Sequence, residues 1–392
     1  MEKNSKPKVV LFAYHSTNLL DQYWEELKDK ADCLWVTFSP LVYTEIKRLG
    51  YKNVCYKSSV GREFKSVLLN KIIRRLKDLF SPQAYPKLIK KTLDELDPDI
   101  IVSNVTFPLV GYRSRAMRTL VFHSAPYKKL IVIASTLDYD LVLLPGEHHK
   151  KVLCERFDVD NPEKLQPVGW PRVDDFLSGK YTEEDRVKFL ETLGLDPKLK
   201  TVMYAPTWSS FKDRGLFPES FGEYTEAFEE FCKRLKENDI NVIVRLHGIV
   251  RKLINDPKLH KIAKKYNVYF VRGLKSEFLD NASALFSWAS DVLISDTSGM
   301  ITDYLVLNRP IVFVDSDSEN FTWENSDLPE SFRTGVIADS LDKILDGVKR
   351  SLDNPEEYET KRKEVTQKIY CNLDGMLWFI RNPKKQGVVY NW

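Results

Sequence analysis

Short apolar runs, many closed by a small or polar residue, alternate along this chain with stretches in which apolar positions recur every three or four residues. In the first half, Lys8 to His15, Cys33 to Phe38, Asn53 to Tyr56, Ile100 to Asn104, Leu120 to His123, Tyr139 to Leu144 and Leu165 to Gly169 read as buried strands. Helical stretches fall between them at Asn18 to Asp29, Tyr43 to Leu49 and Glu147 to Arg156. A further helix over Thr182 to Leu193 opens on the cap-like pair Thr182 and Asp185 and closes at Gly194. A second series then begins, with strands at Thr201 to Ala205, Ile240 to Leu246, Val268 to Val271, Asp291 to Ser295 and Ile311 to Val314. Its helices fall at Tyr224 to Glu237, Leu259 to Tyr266 and Met300 to Leu307. Strands alternating with helices of this length predict an α/β protein with a doubly wound parallel sheet in each half. A chain of 392 residues exceeds one ordinary core. The expected division is a first domain over 1–180, a second over 181–370, and a tail, 371–392, packing back on the first. Such sheets bind ligands at the carboxyl ends of their strands, and two of them facing each other place the natural site in the cleft between.

The most informative stretch runs from Asp291 to Tyr304. An apolar strand empties into Ser295-Asp296-Thr297-Ser298-Gly299, and the helix that follows is stopped by Asn308-Arg309-Pro310. Strand, hydroxyl-rich loop and helix N-terminus together suit an anion, because backbone N–H groups and the positive end of the helix dipole point at it. The plainer reading is an ordinary turn with Thr297 or Ser298 as N-cap. Two histidines end apolar runs, one in each half: His123 before Ser124-Ala125-Pro126, and His247 after Arg245-Leu246. Facing each other across a cleft, one imidazole acts as base while the other binds phosphate oxygen; taken singly, each is more often structural than catalytic. His148 and His149 open a helix and read as surface or capping residues.

Between Arg62 and Lys91 stand nine Lys or Arg against two acids. Leu69, Ile72, Ile73, Leu76 and Phe80 share one helical face there, with Lys71, Arg74 and Arg75 largely elsewhere. This is the profile of a helix on an anionic lipid surface, or of a core-packed helix with a solvated basic face. No aromatic interleaving supports nucleic acid.

Composition narrows the class. A hydrophobic fraction of 43% with 29% charge is that of a globular protein, and a net charge of +3 argues for no polyanionic partner. Five scattered cysteines without a Cys-x-x-Cys pair fit a reducing compartment and neither a disulfide framework nor a zinc site. No secretory leader is read at the N-terminus, and no run approaches the roughly 20 apolar residues that span a bilayer. The expectation is a cytoplasmic protein whose membrane contact is peripheral, on the inner face. Asp315 and Asp317 form a short Asp-x-Asp too common to argue for a divalent metal, so no cofactor is assigned.

Five segments in order resemble the CDP-glycerol:poly(glycerophosphate) glycerophosphotransferases, the polymerases and primases of teichoic acid synthesis. Phe122-His123-Ser124-Ala125-Pro126-Tyr127-Lys128-Lys129 answers to a Trp-His-Gly-Thr-Pro-x-Lys-Lys motif, and Gly169-Trp170-Pro171-Arg172-Val173-Asp174 to Gly-x-Pro-Arg-x-Asp. Tyr204-Ala205-Pro206-Thr207-Trp208 stands intact, Arg245-Leu246-His247-Gly248 answers to Arg-x-His-Pro, and Ser290 to Gly299 with Asp303-Tyr304 completes the set. The resemblance implies a GT-B architecture, two Rossmann-like domains facing a cleft. It implies attack by an acceptor hydroxyl on the phosphorus next to the polyol of a CDP-activated donor, with CMP leaving. His123 is then the base, and His247 and Arg245 stabilise charge on the transferring phosphoryl. Thr297 and Ser298 hold the diphosphate, Asp296 belongs with them to the donor-binding set, and Arg172 reaches phosphate from the first domain. Thr207 walls the cleft, and Asp303 orients the loop or binds a polyol or ribose hydroxyl. The implied partners are a CDP-polyol donor, a lipid-linked or glycan acceptor and the membrane surface. Two alternatives stay open: a GT-B glycosyltransferase with a nucleotide-sugar donor, and a relative that binds nucleotide or glycan without catalysis.

Overall fold

A computed structural model describes residues 6–14, 20–57, 84–106, 109–121, 134–170, 176–177, 179–206, 224–246, 251–271, 282–296, 298–314 and 334–370. They fall into two compact units, one ending at Trp170 and the other running from Phe176 to Tyr370.

The first unit is built on β1 (Lys8–Phe12), β2 (Asp32–Thr37), β3 (Val54–Tyr56), β4 (Ile100–Ser103), β5 (Met117–Val121), β6 (Leu141–Leu144) and β7 (Leu165–Pro167). All pair in parallel, in the spatial order β3-β2-β1-β4-β5-β6-β7. Each strand overlaps a run predicted from the sequence. Helices α1 (Leu20–Leu27), α2 (Pro40–Arg48), α3 (Ala84–Leu96) and α4 (Glu147–Arg156) lie between them. The strands are apolar on both faces because helices cover both. Val9, Leu11, Trp35 and Val102 pack with Leu20, Tyr23, Val42 and Ile46 from α1 and α2. The rings of Trp24, Trp35 and Tyr51 close this side, with centroids 5.2 to 5.8 Å apart. Arg118 on β5 is buried and donates to Asp138 at 2.8 Å and to Asp140 at 3.1 Å, so its charge is compensated within the unit. Hydrogen bonds from Arg113, Gly111 and Arg118 together hold the Asp138 carboxyl well below the usual range.

The second unit carries β8 (Lys200–Tyr204), β9 (Ile240–Val244), β10 (Tyr269–Phe270), β11 (Val292–Ser295), β12 (Ile311–Val314) and β13 (Val336–Ala338). They too are parallel, in the order β10-β9-β8-β11-β12-β13. The helices are α5 (Glu183–Thr192), α6 (Tyr224–Glu237), α7 (Arg251–Ile254), α8 (Pro257–Lys265), α9 (Ala282–Ala289), α10 (Met300–Leu307), α11 (Leu341–Asp353) and α12 (Glu359–Ile369). The predicted cap of α5 is present. Thr182 Oγ1 accepts from Asp185 N at 3.2 Å, and the Asp185 carboxylate accepts from Thr182 N at 2.8 Å. Phe228, Phe231 and Leu235 on α6 meet Leu259 and Ile262 of α8 and Ile344 and Val348 of α11 over the sheet. Both sheets are therefore doubly wound, with the first strand of each flanked by the second on one side and the fourth on the other.

Gly335 leads into β13 where the chain runs against β12. A Cβ there would stand 1.8 Å from the Ile311 carbonyl oxygen, which the backbone cannot avoid without moving. Gly335→Ala is expected to cost about 2–3 kcal/mol, read as a lowered urea midpoint with unchanged slope. An unchanged midpoint would show that β13 is free to shift.

Candidate functional site

The topology of the second unit fixes where its motifs meet. β8 lies between β9 and β11, which makes the β8–β11 junction the switch point of the sheet, where strand order reverses. The carboxyl ends of these three strands are Tyr204, Val244 and Ser295, and the segments following them are Ala205-Pro206, Arg245-Leu246 and Asp296. Hydrogen bonds lace these ends together. Ala205 N donates to Ile294 O at 3.0 Å and Arg245 N to Tyr204 O at 2.9 Å. The Ser295 hydroxyl, fully buried, donates to Ala205 O at 2.7 Å.

The loop after β11 leads directly into α10, which spans Met300–Leu307 as the sequence predicts. It ends on Asn308 in the left-handed conformation, φ 52°. At its start, Gly299 occupies the N-cap without a side-chain bond. Ser298 Oγ accepts from Met300 N at 3.3 Å, and Ile301 N and Thr302 N donate to the carbonyls of Ser298 and Gly299 at 3.1 and 3.3 Å. These bonds are long, and Ser298 and Gly299 keep partial exposure while Met300 to Leu305 are buried.

Arg245 crosses to this helix. Its guanidinium Nη1 donates to Met300 Sδ at 3.0 Å, so a cation carried by β9 sits at the positive end of α10. An anion at this place would meet the guanidinium and the helix end together.

The two aspartates of this region do different work from Ser298. Asp296 is 3% exposed and Asp303 is 1% exposed. Burial pushes the Tyr204 phenol well up, and the Asp296 charge adds to it, which sets that carboxylate close to the core end of β8. Asp303 accepts from the Ser287 hydroxyl of α9 at 3.2 Å. The Asp303 carboxylate is thus enclosed and bonded to α9. Asp291, in the same motif, stands at the opposite end of β11. It accepts from Thr201 N at 2.8 Å and pairs with Arg186 at 3.3 Å and Lys200 at 3.5 Å, so it anchors the amino edge of the sheet. The sequence reading missed Ser295 and Ser287 as supports; the repeated Ser-Asp pairs at Ser290 and Ser295 were the available signal.

His123, His247, Arg172, Thr207 and Thr297 lie outside the described residues, as do Lys71, Arg74 and Arg75, and Asp315 and Asp317. The strands preceding the two histidines end at Val121 and Val244. His149 corrects its reading as a surface or capping residue: it is 1% exposed. Among the described residues no group of three or more His, Cys, Asp or Glu is placed to hold a metal, and no helix is long and apolar enough to cross a membrane.

Comparison with solved structures defines the class first. The wall teichoic acid polymerase TagF aligns over 99% of this chain and 92% of its own, with a TM-score of 0.64 at 17% identity. MnaA of Staphylococcus aureus, solved with UDP, aligns over 96% of both chains with a TM-score of 0.61 at 12% identity. These likenesses establish the fold, a GT-B-like pair of Rossmann-like α/β domains. The sequence pattern of the CDP-Glycerol:Poly(glycerophosphate) glycerophosphotransferase family matches residues 100–376, and the chain belongs to that family. The teichoic acid ribitol-phosphate polymerase TarL of Staphylococcus aureus is 29% identical over 202 residues, 51% of this chain and 33% of its own. The teichoic acid poly(glycerol phosphate) polymerase of Bacillus spizizenii is 29% identical over 255 residues, 64% of this chain and 58% of its own. The chain thus spans about a third to three fifths of the length of these relatives.

The Asp303–Ser287 bond supports α10 from behind. Asp303→Ala removes the carboxylate that accepts from the buried Ser287 hydroxyl and is expected to cost about 1–3 kcal/mol in urea unfolding. Ser287→Ala in the same background should then add little. Full additivity of the two losses would show that the pair is not coupled.

Proposed function

We propose that this protein transfers a polyol phosphate, glycerol phosphate or ribitol phosphate, from a CDP-activated donor to a hydroxyl of a lipid-linked or glycan acceptor of teichoic-acid or capsular type. The observation that carries the reading is the guanidinium of Arg245 held against the N-terminus of α10 at the switch point of the second sheet. A diphosphate bound there meets a fixed cation, the helix dipole and the Ser298 hydroxyl, and charge stabilisation is what phosphoryl transfer chiefly requires of a protein. Family membership and the polyol-phosphate polymerases among its relatives support the same chemistry.

In this reading the second domain holds the donor and the first receives the acceptor. The acceptor oxygen forms a bond to the phosphorus bearing the polyol, and the bond from that phosphorus to the bridging oxygen breaks. CMP departs with the bond electrons, and the hydroxyl proton passes to His123. His247 and Arg245 offset the charge that builds on the phosphoryl oxygens. Arg172, Thr297 and Ser298 hold the diphosphate, Thr207 lines the site, and the buried Asp296 and Asp303 keep loop and helix in place. Lys71, Arg74 and Arg75 bring the protein to an anionic membrane face from the cytoplasmic side, where a lipid-linked acceptor is presented.

Purified protein given an acceptor is expected to release CMP from CDP-glycerol or CDP-ribitol and no UDP from UDP-sugars. The reverse preference would favour a glycosyltransferase, and binding without turnover a silent relative. His123→Ala should abolish transfer with donor affinity retained. Arg245→Ala should lower kcat by about 100-fold or more, and wild-type turnover in both variants would remove this assignment.

A further inference from the structure

The carboxyl end of α10, opposite the proposed diphosphate site, is held by the last helix of the unit. α10 stops on Asn308 in the left-handed conformation, and the Asn308 backbone N–H returns to the carbonyls of Leu305 and Tyr304. The Asn308 side chain reaches α12. Arg362 Nε donates to Asn308 Oδ1 at 3.0 Å, and Asn308 Nδ2 donates to Glu359 Oε1 at 3.1 Å. A guanidinium can only donate and a carboxylate only accept, so the two partners fix the orientation of the amide between them. One turn further along α12, the Thr366 hydroxyl lies 2.9 Å from Leu305 O and 2.7 Å from Arg362 O. Glu359, Arg362 and Thr366 are spaced i, i+3, i+7 and share one face of α12.

Ending a helix needs less than this. Glycine is the usual left-handed residue at a helix end and would stop α10 as well, whereas the asparagine uses both faces of its amide on another helix. Arg362 is 1% exposed, and enclosing a guanidinium is costly unless its donors are met. Here Nη2 donates to Pro355 O at 2.7 Å, Nε is taken by Asn308, and the Glu359 charge opposes the effect of burial. A cation at this end also suits the dipole of α10. Arg309, the next residue, ties the same turn to α9, where its Nη1 donates to the carbonyls of Ser287 and Ser290 at 3.1 and 2.5 Å. α10 has eight residues and is about 12 Å long. Over that length a helix is stiff, so an attachment at one end sets the height and rotation of the other.

We propose that Asn308, Arg362 and Glu359 are positioning residues: through them α12 sets α10 along and about its axis, and so places Ser298, Gly299 and Met300, with the Arg245 guanidinium that rests on Met300, against the donor's diphosphate. The three residues lie a helix length from that diphosphate and act on it only through α10. The assignment rests on the donor lying at the start of α10 and adds what holds that helix in register. A clasp with a merely structural role would lower stability when broken and leave the ligand affinity of the folded protein unchanged.

The test uses the full chain with three changes: Arg362→Met, which keeps the apolar stem and removes the donors; Asn308→Gly, which keeps the left-handed cap and removes the amide; and the two combined. Circular dichroism and thermal melting set a temperature at which each variant is folded, and Asn308→Gly carries the test should Arg362→Met not fold. CDP-glycerol affinity is read calorimetrically, and kcat and both KM values are read with acceptor present. Donor affinity is expected to fall about tenfold in each folded variant, with kcat lowered and acceptor KM unchanged, and the double variant no weaker than the weaker single. Arg362→Lys, which retains the charge and one donor group, should recover part of the loss. Wild-type donor affinity in the folded variants, or full additivity of the two losses, overturns the clasp and leaves the donor site standing. A wild type that binds no CDP-glycerol overturns both. Weakened binding in the variants of a wild type that turns over no CDP-polyol supports the clasp and removes the transfer reaction.

Discussion

The second unit depends on one constraint of connectivity: its first strand is central. Because β8 is flanked by β9 and β11, three segments distant in sequence must empty onto the same edge. The bonds from Ala205 N, Arg245 N and the Ser295 hydroxyl then leave these strand ends little freedom relative to one another. The guanidinium of Arg245 reaches Met300, 55 residues away in sequence, only through this arrangement. A cation held in this way is pre-positioned, and the proposed diphosphate would meet it with little reorganisation.

Charge and burial divide the labour within a single motif. Asp291 and Asp296 bracket one four-residue strand, yet the first clamps Arg186, Lys200 and Thr201 at the amino edge and the second is enclosed near Tyr204. Asp303 is enclosed as well, bonded to Ser287 behind α10. Among the described residues of this loop, Ser298 and Gly299 are the ones with a surface to offer. The acidic residues here are paired or enclosed within the protein, while Ser298, with its hydroxyl, and Gly299 stay partly exposed.

Much of this fold is legible in the sequence because parallel strands buried on both faces are continuous apolar runs. All seven strands of the first unit and five of the second announce themselves in this way. β13 does not, since three residues carry no pattern. α9, Ala-Ser-Ala-Leu-Phe-Ser-Trp-Ala, has almost no polar face and so shows little helical period. The bounds of α10 were readable from the Asn308-Arg309-Pro310 stop. Site residues were legible by type and strand end, not by exposure: nothing in the string distinguishes the enclosed Asp303 from the accessible Ser298, or reveals that His149 lies inside. Those facts belong to the packing of α9 and α4, which depends on residues far away in the chain.

The central claim is that the donor's diphosphate lies against Arg245 and the start of α10. A crystal structure of the full chain with CDP-glycerol tests it most directly. The account predicts diphosphate oxygens within hydrogen-bond distance of the Arg245 guanidinium and of the Ser298–Gly299 backbone. A donor bound with its phosphates away from both, and Arg245 still on Met300, would contradict it.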